Sequence, residues 1–120
     1  MEQSRLFDGE ARFLDIIWRS EPVASGRLAA LCAQELGWKK STTYTMLKRL
    51  QDKGYVRSER AVVTSLVTRE QVRAAESEAV VEQRFAGSLP GFLVAFLGNK
   101  TLSEQEAEEL KRLIDAHREG

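Results

Sequence analysis

The stretch Trp38-Lys-Lys-Ser-Thr-Thr-Tyr-Thr-Met-Leu-Lys-Arg-Leu-Gln-Asp-Lys-Gly54 decides the fold of this chain, because it combines an amphipathic helix with a polar, basic face. The buried stripe follows the helical i, i+3, i+4, i+7 spacing and consists of Thr43, Met46, Leu47 and Leu50. The opposite face carries Ser41, Thr42, Tyr44, Thr45, Lys48 and Arg49. Such hydroxyls and cations contact base edges and phosphates, whereas an ordinary solvated face would more often pair Glu with Lys. The stretch therefore predicts a recognition helix that reads DNA.

The residues after this helix predict a β-hairpin. Gly54 is expected to end the helix, because glycine readily adopts the left-handed conformation found after helix C-termini. One strand begins at Tyr55-Val56-Arg57, and a second run rich in β-branched residues extends from Ala61 to Val67, with Ser58-Glu59-Arg60 near the tip. The tip has neither Gly nor Asn, so its turn type stays open. Helix, glycine and hairpin in this order indicate a winged helix-turn-helix.

Two further helices are predicted upstream. Asp8 is the expected N-cap of a helix that runs to about Arg19. Its apolar stripe consists of Phe13, Leu14, Ile17 and Trp18. After a break at residues 21–24, Ser25 is the expected N-cap of a second helix, which Gly37 ends. Three helices and a hairpin can close one small core.

The charge is divided unevenly although the net charge is zero. Residues 1–69 carry twelve Lys and Arg against eight Asp and Glu, whereas residues 70–120 carry six against ten. From Lys39 to Arg60 there are seven cations, Lys53 among them, and two anions. Such a basic segment suits a phosphate backbone, and the acidic half is expected to stay away from DNA.

Ten residues are expected to meet the DNA. They are Lys39, Lys40, Ser41, Thr42, Tyr44, Thr45, Lys48, Arg49, Arg57 and Arg60. The alternative for the Lys39-Lys40 pair and for the hydroxyl-rich face is ordinary solvated surface. The basic segment, the terminal glycine and the hairpin together favour DNA reading.

The remaining residues predict a second, helical domain, so that we expect a DNA-binding domain at 1–69 and a dimerisation domain at 70–120. Thr68 and Gln71 fit a capping box that opens a helix through about Ala86. Ser88 and Pro90 open a short apolar helix, and a second capping box at 103–106 opens the last one. The expected fold is mainly α with a small β-hairpin.

This second domain carries more large apolar residues than three short helices can bury alone. They are Phe85, Leu89, Phe92, Leu93, Phe96, Leu97, Leu110, Leu113 and Ile114, with Leu102 beside them. A second copy of the chain is the simplest cover, because two-fold homodimers are the commonest oligomers. The apolar run from Gly91 to Leu97 is far too short to span a bilayer. The sequence predicts a homodimer interface here.

Other function classes find little support. The sequence contains no glycine-rich phosphate loop, nucleophile elbow or metal-ligand cluster, and it has a single His, so we expect neither an enzyme nor a metal or cofactor site. The lone Cys32 lies on an apolar helical stripe and is interpreted as a buried structural thiol. Trp18 and Trp38 are interpreted as packing residues. The first five residues lack the apolar region of a signal peptide, so a cytoplasmic location is expected.

Four segments resemble the penicillinase repressor family (BlaI/MecI/CopY type). They are Glu10-x-x-Phe13-Leu14-x-Ile16-Ile17-Trp18, Trp38-x-x-Ser41-Thr42-Thr43-x-Thr45-x-Leu47-x-Arg49-Leu50-x-x-Lys53-Gly54, Leu66-Val67-Thr68-Arg69-Glu70, and Leu102-Ser103-x-x-Glu106-x-x-Glu109-Leu110. The resemblance implies a homodimeric transcriptional repressor that binds a palindromic DNA operator through a winged helix in each protomer. It also implies that Thr42 and Tyr44 read bases, while Ser41, Thr45 and Arg49 contact or approach the backbone.

The chain departs from that family in three places. Tyr44 stands where members often carry Arg, so the operator is expected to differ. The wing lacks the usual Gly-Arg and tyrosine pattern, which leaves Arg57 and Arg60 as its phosphate contacts. In the penicillin-responsive branch, a membrane sensor leads to cleavage at an Asn-Phe bond, and the matching bond here is Ala95-Phe96. A sensor-linked protease is thus a candidate partner, whereas the C-terminal cysteine cluster of the copper-responsive branch is absent from the sequence.

Two other functions stay open from the sequence. In the first, the basic helix docks on an acidic protein, and the chain is a protein interaction module. Alternatively, a repressor could sense a small apolar ligand near Phe92 and Phe96 at the dimer interface. Salt-dependent binding to a palindromic duplex would favour the DNA-binding repressor, and a cavity between subunits would favour the ligand sensor.

Overall fold

A computed structural model describes residues 6–119, and within this range the chain forms six helices and three short strands. The order is α1 (Asp8–Ser20), β1 (Val23–Ala24), α2 (Ser25–Leu36), α3 (Lys40–Asp52), β2 (Val56–Glu59), β3 (Val62–Ser65), α4 (Arg69–Phe85), α5 (Leu89–Leu97) and α6 (Glu104–Ala116). The predicted fold class is confirmed, because a winged helix is followed by a helical C-terminal region. Residues 1–5, on which the signal-peptide argument rests, lie outside the described range.

The chain divides into two compact units, residues 1–78 and residues 79–120, and the division falls inside α4. In the first unit, three helices and the sheet enclose one apolar core. Its fully buried side chains include Phe13, Leu14, Ile17, Leu28, Cys32, Leu50 and Val63. Trp18 and Trp38 are half-buried and pack against this core, as expected of packing residues. The amphipathic stripes of the sequence therefore face one interior.

The sheet of the first unit has a strand that the sequence did not predict. β1 pairs antiparallel with β3, with Val23 opposite Val63, and the strand order is β1-β3-β2. β1 covers only two residues, too few for an alternating pattern to be visible in the sequence. It connects α1 to α2 and closes the open edge of the hairpin.

The hairpin turn consists of Arg60 and Ala61, because Glu59 is the partner of Val62. Both turn residues have positive φ, 52° and 61°, as a type I′ turn requires at its two central positions. The residues expected near the tip lie there, because Ser58 and Glu59 end β2 and Arg60 begins the turn. The usual Gly or Asn signal is missing, so sequence alone left the turn type open.

The helix ends were easier to predict than the helix starts. Gly37 and Gly54 adopt the left-handed conformation after α2 and before β2, with φ of 69° and 84°. The predicted N-caps of α1 and α2 were both wrong. Asp8 is the first residue of α1 and Phe7 is its N-cap, because the Glu10 carboxylate accepts the hydrogen bond from Phe7 N–H at 2.9 Å. Ser25 likewise begins α2 directly after β1.

The caps of the C-terminal helices agree with the sequence. Thr68 N–H donates to Gln71 Oε1 at 2.9 Å and Gln71 N–H donates to Thr68 Oγ1 at 3.0 Å, which completes the capping box of α4. Ser88 Oγ accepts from Gly91 N–H at the start of α5, and Ser103 Oγ accepts from Glu106 N–H at the start of α6.

The second unit has no buried residue between positions 79 and 119. Many of its large apolar side chains are more than half exposed, among them Leu89, Val94, Phe96, Leu113 and Ile114. Three phenylalanines do touch one another: the ring centroids of Phe85 and Phe92 are 5.4 Å apart, and those of Phe92 and Phe96 are 5.9 Å apart. Within the described range no helix combines the length and the apolar character needed to cross a membrane.

Candidate nucleic-acid interface

One side of α3 is packed in the core, and the opposite side is exposed. Thr43, Leu47 and Leu50 are buried, and they hold the helix against the first unit. The six residues of the opposite face, Ser41, Thr42, Tyr44, Thr45, Lys48 and Arg49, are all exposed. The structure thus brings the expected base-reading and phosphate-binding side chains of α3 onto one surface.

A shallow groove of about 610 Å³ follows the second half of this surface. It is lined by Tyr44, Thr45, Lys48, Arg49, Asp52 and Lys53. Sequence reasoning did not place Asp52 there. Its Oδ1 lies 3.9 Å from Lys48 Nζ, and both side chains are largely exposed. Such a pair is weak, so Lys48 can exchange Asp52 for a phosphate at small cost.

The start of α3 is open to an anion. Its N-cap, Lys39, makes no side-chain capping bond, and its first turn contains no acidic residue. The free N–H groups and the positive end of the helix dipole favour a negative group at this end. Lys39, Lys40, Ser41 and Thr42 are exposed around it. These features together suit a DNA phosphate.

The charge count treated Lys53 as one of the cations that face DNA, but the structure places it in an ion pair with Glu10. Its Nζ lies 2.9 Å from Oε1 of Glu10, and it also lies 5.0 Å from the centroid of the Phe7 ring. Glu10 is only 1% exposed. A cation held by a buried carboxylate has much of its charge neutralised, so the basic excess around α3 is one less than the sequence suggested. Lys53 instead ties the end of α3 to α1.

The ionisation of Glu10 follows from these contacts. Burial acts to raise the pKa of Glu10, but the hydrogen bond from Phe7 N–H and the contacts with Lys53 outweigh it and lower the pKa below its ordinary value. Glu10 is therefore charged at neutral pH. Glu10 and Lys53 are 43 positions apart in the sequence, which explains why no local sequence pattern indicated the pair.

The wing carries the other two predicted cations. Arg57 is exposed on β2, where it lies opposite Thr64, and Arg60 is exposed in the turn. Neither lines the groove on α3, although β2 packs beside that helix. Glu59 shares the face of Arg57, because it lies two residues further along the strand. The wing therefore presents two cations and one anion.

The predicted dimer residues lie on the helices of the second unit. Phe85, Phe92, Leu93 and Leu97 are partly buried, whereas Leu89, Phe96, Leu110, Leu113 and Ile114 are exposed. The Ala95-Phe96 bond lies inside α5, and both of its residues are exposed. No group of three His, Cys, Asp or Glu side chains within residues 6–119 is placed to hold a metal ion.

The first unit and its exposed polar helix define a winged helix-turn-helix protein. A family model described as "Penicillinase repressor" matches residues 7–116. The chain belongs to the penicillinase repressor family, which confirms the resemblance of the four segments. It is therefore a transcriptional regulator of the repressor type and not an enzyme.

Individual relatives are distant but align over almost their whole length. The penicillinase repressor of Bacillus licheniformis is 23% identical over 118 residues, which cover 95% of this chain and 92% of the relative. The methicillin resistance regulatory protein MecI of Staphylococcus aureus strain N315 is 21% identical over 110 residues, which cover 88% and 89% of the two chains.

Proposed function

We propose that this protein is a cytoplasmic, homodimeric repressor that binds a palindromic DNA operator with α3 in the major groove. The observation that carries the proposal is the exposed face of hydroxyls and cations on a helix whose other side is fully packed. Residues 1–69 would bind DNA and residues 70–120 would form the dimer. The names of the relatives support repression as the outcome of binding.

Each side chain on this face has a chemistry that suits its proposed role. Thr42 and Tyr44 would contact base edges, because a hydroxyl can exchange one hydrogen bond with a base and a ring can pack on a thymine methyl. Ser41, Thr45 and Arg49 would contact or approach the DNA backbone. The lysines Lys39, Lys40 and Lys48, with Arg57 and Arg60 of the wing, would meet phosphates.

The dimer proposal rests on the exposed apolar surface of the second unit. Large exposed apolar patches mark interaction sites, and here no described residue from 79 to 119 is buried. A second copy would cover the predicted interface residues of α4, α5 and α6. Two-fold symmetry of the protein would then match a palindrome, with one recognition helix for each half-site.

The test of DNA reading compares base contacts with phosphate contacts. Arg49→Ala should weaken binding to every duplex and reduce the salt slope by about one unit, because one counterion release is lost. Thr42→Ala and Tyr44→Ala should instead reduce the difference in binding free energy between operator and random DNA, by about 1–3 kcal/mol for a good base contact. Arg112→Ala, an exposed arginine of α6, is the matched control and should change neither quantity.

Titrations at several salt concentrations, with operator selected from a random duplex pool, measure both effects. If both base-contact variants retain full discrimination, α3 does not read the operator. Binding to an acidic protein with no salt-dependent duplex binding would instead favour the interaction-module function.

Induction by proteolysis is part of the same proposal. Cleavage at Ala95-Phe96 would separate α6 from the rest of the chain and remove Leu110, Leu113 and Ile114 from the dimer. A monomer lacks the gain in effective concentration, about 10²- to 10⁴-fold, that linked half-site binding provides. A fragment that ends at Ala95 should therefore fail to dimerise and bind a full palindrome poorly. A fragment that binds like the intact chain would show that α6 is not needed for the dimer.

A further inference from the structure

The first turn of α4 is attached to α1 by a group of polar and aromatic side chains within the first unit. The Arg69 guanidinium lies 4.8 Å from the centroid of the Trp18 ring, and its Nη1 donates to Asp15 Oδ1 at 2.5 Å. Trp18 Nε1 donates to the carbonyl oxygen of Val67 at 3.0 Å. We call Asp15, Trp18 and Arg69 the α4 clamp.

Asp15 of the clamp also takes part in contacts that reach α2. Asp15 Oδ2 also accepts from Arg19 Nε at 3.0 Å, and Arg19 Nη2 donates to Glu35 Oε1 at 2.7 Å. The hydrogen bond from Arg69 is the main cause of a lowered pKa of Asp15, against the opposing effect of burial. The chain of contacts thus links α1, α2 and the start of α4.

These groups are suited to fixing a direction rather than to stabilising the fold. The side chains of Asp15 and Arg69 are 38% and 41% exposed, and ion pairs so exposed contribute little to stability. The planar guanidinium, however, is held both by a carboxylate at its edge and by an indole at its face, which defines its orientation. Val72 is the single buried residue of α4, so apolar burial anchors this helix at one position only.

We propose that Asp15, Trp18 and Arg69 are positioning residues that set the direction in which α4 leaves the winged helix, and thereby set the spacing between operator half-sites that the protein accepts. The proposal rests on the dimeric repressor function proposed above. The clamp residues themselves need not touch DNA.

The length of α4 makes this direction important. A helix of 17 residues is roughly 25 Å long. A rotation of about 8° at one end displaces the other end by about 3.4 Å, the rise of one base pair. A small change at the clamp therefore corresponds to a whole step in half-site spacing.

The test uses the full-length protein and two kinds of DNA. One is a set of palindromes whose half-sites are separated by spacers that differ one base pair at a time, and the other is a duplex with a single half-site. Arg69→Gln removes the positive charge that contacts Asp15 and Trp18. Arg73→Gln makes the same change one turn further along α4, at an exposed arginine with no ion pair among residues 6–119. Arg69→Lys retains a cation that can reach Asp15 but loses the planar contact with Trp18.

We expect Arg69→Gln to bind the single half-site within about twofold of the natural protein, because α3 is untouched. Its preference for the best spacing over spacings one base pair shorter or longer should fall by about fivefold. Arg73→Gln should retain the natural spacing profile, and Arg69→Lys should lie between the two. Trp18→Phe, which retains a ring but loses the bond to the Val67 carbonyl, should also broaden the profile.

The outcomes separate the two proposals. If both Arg69→Gln and Trp18→Phe keep the spacing profile of the natural protein, the clamp proposal is wrong and the proposed function as a dimeric repressor is unaffected. A parallel loss of half-site binding would also overturn it, because the residues would then support the recognition helix itself. A natural protein that binds all spacings equally would contradict the palindromic dimer and the clamp together.

Discussion

Residues 6–78 and residues 79–119 use their apolar side chains in opposite ways. The first region buries them in one core, with Phe13, Leu14, Ile17 and Leu28 inaccessible to solvent. The second buries none of its described residues, although α5 is the most apolar helix of the chain. Apolar content alone therefore does not make a stable unit. The helices must also enclose an interior, and a segment too small to do so needs a second surface.

The largest effect should come from separating the two regions. A fragment of residues 1–78 should unfold cooperatively at a temperature independent of its concentration, because its core is complete. A fragment of residues 79–120 should be largely unfolded when dilute and gain helix as its concentration rises. Far-ultraviolet circular dichroism across a concentration series measures both. If the helix content of the 79–120 fragment does not depend on its concentration, that region folds without a partner and the contrast between the two regions is wrong.

Substitution of one phenylalanine in each region tests the same contrast within the intact chain. Phe13→Ala should lower the free energy of unfolding by about 3–5 kcal/mol at every protein concentration. Phe96 is 56% exposed, so Phe96→Ala should lower the stability of a single protomer little and instead raise the dissociation constant of the proposed dimer. Thermal unfolding and sedimentation equilibrium distinguish the two. Unchanged sedimentation of Phe96→Ala would place Phe96 outside the interface.

The buried ion pair of the first region should make its stability sensitive to acid. A carboxyl whose pKa is lowered by folding stabilises the folded chain fully above its ordinary pKa of 4.5, and this contribution is lost as the pH falls through the lower folded value. Glu10→Gln should cost about 1–3 kcal/mol at neutral pH and flatten the loss of stability in acid. Glu59→Gln, at an exposed position, is the control. Equal acid sensitivity of natural protein and Glu10→Gln would exclude Glu10 as its source.

The smallest effect concerns a buried hydroxyl in the first region. Thr43 Oγ1 is buried without a hydrogen bond of normal geometry to residues 6–119, although it lies within reach of the Cys32 thiol, a weak partner. Thr43→Val keeps the shape and removes the unsatisfied group, so it should leave stability unchanged or raise it by up to about 1 kcal/mol. Thr45→Val on the exposed face is the comparison. A clear loss of stability in Thr43→Val would mean that the contact with Cys32 is a real hydrogen bond.

Local patterns predicted the helices of both regions well. The stripe of Leu47 and Leu50, the glycines after α2 and α3, and the capping residues Thr68, Ser88 and Ser103 each act within one helical turn. Such signals are present in the sequence itself, because the interacting residues are three or four positions apart. Residue spacing and charge already favoured DNA binding, and the family resemblance added repression.

What the sequence could not show depends on residues that are far apart along the chain. β1 exists because it pairs with β3, and Lys53 is held by Glu10, so neither follows from a neighbouring residue. The contact between Asp15 and Arg69 spans 54 positions. For the candidate interface, the exposed face of α3 was predictable, whereas the neutralised charge of Lys53 and the presence of Asp52 required the fold.

The turn at Arg60 and Ala61 shows where this protein gives up stability. Both residues adopt a left-handed backbone that costs an ordinary L-residue about 1–2 kcal/mol and that glycine adopts freely. The chain nevertheless carries a long cation at the first of these positions. Selection in the laboratory for heat resistance alone should therefore replace Arg60 and Ala61 with Gly or Asn early. If the charge of Arg60 contributes to DNA binding by the wing, such thermostable variants will bind DNA less tightly. The same turn would then carry a trade-off between stability and function.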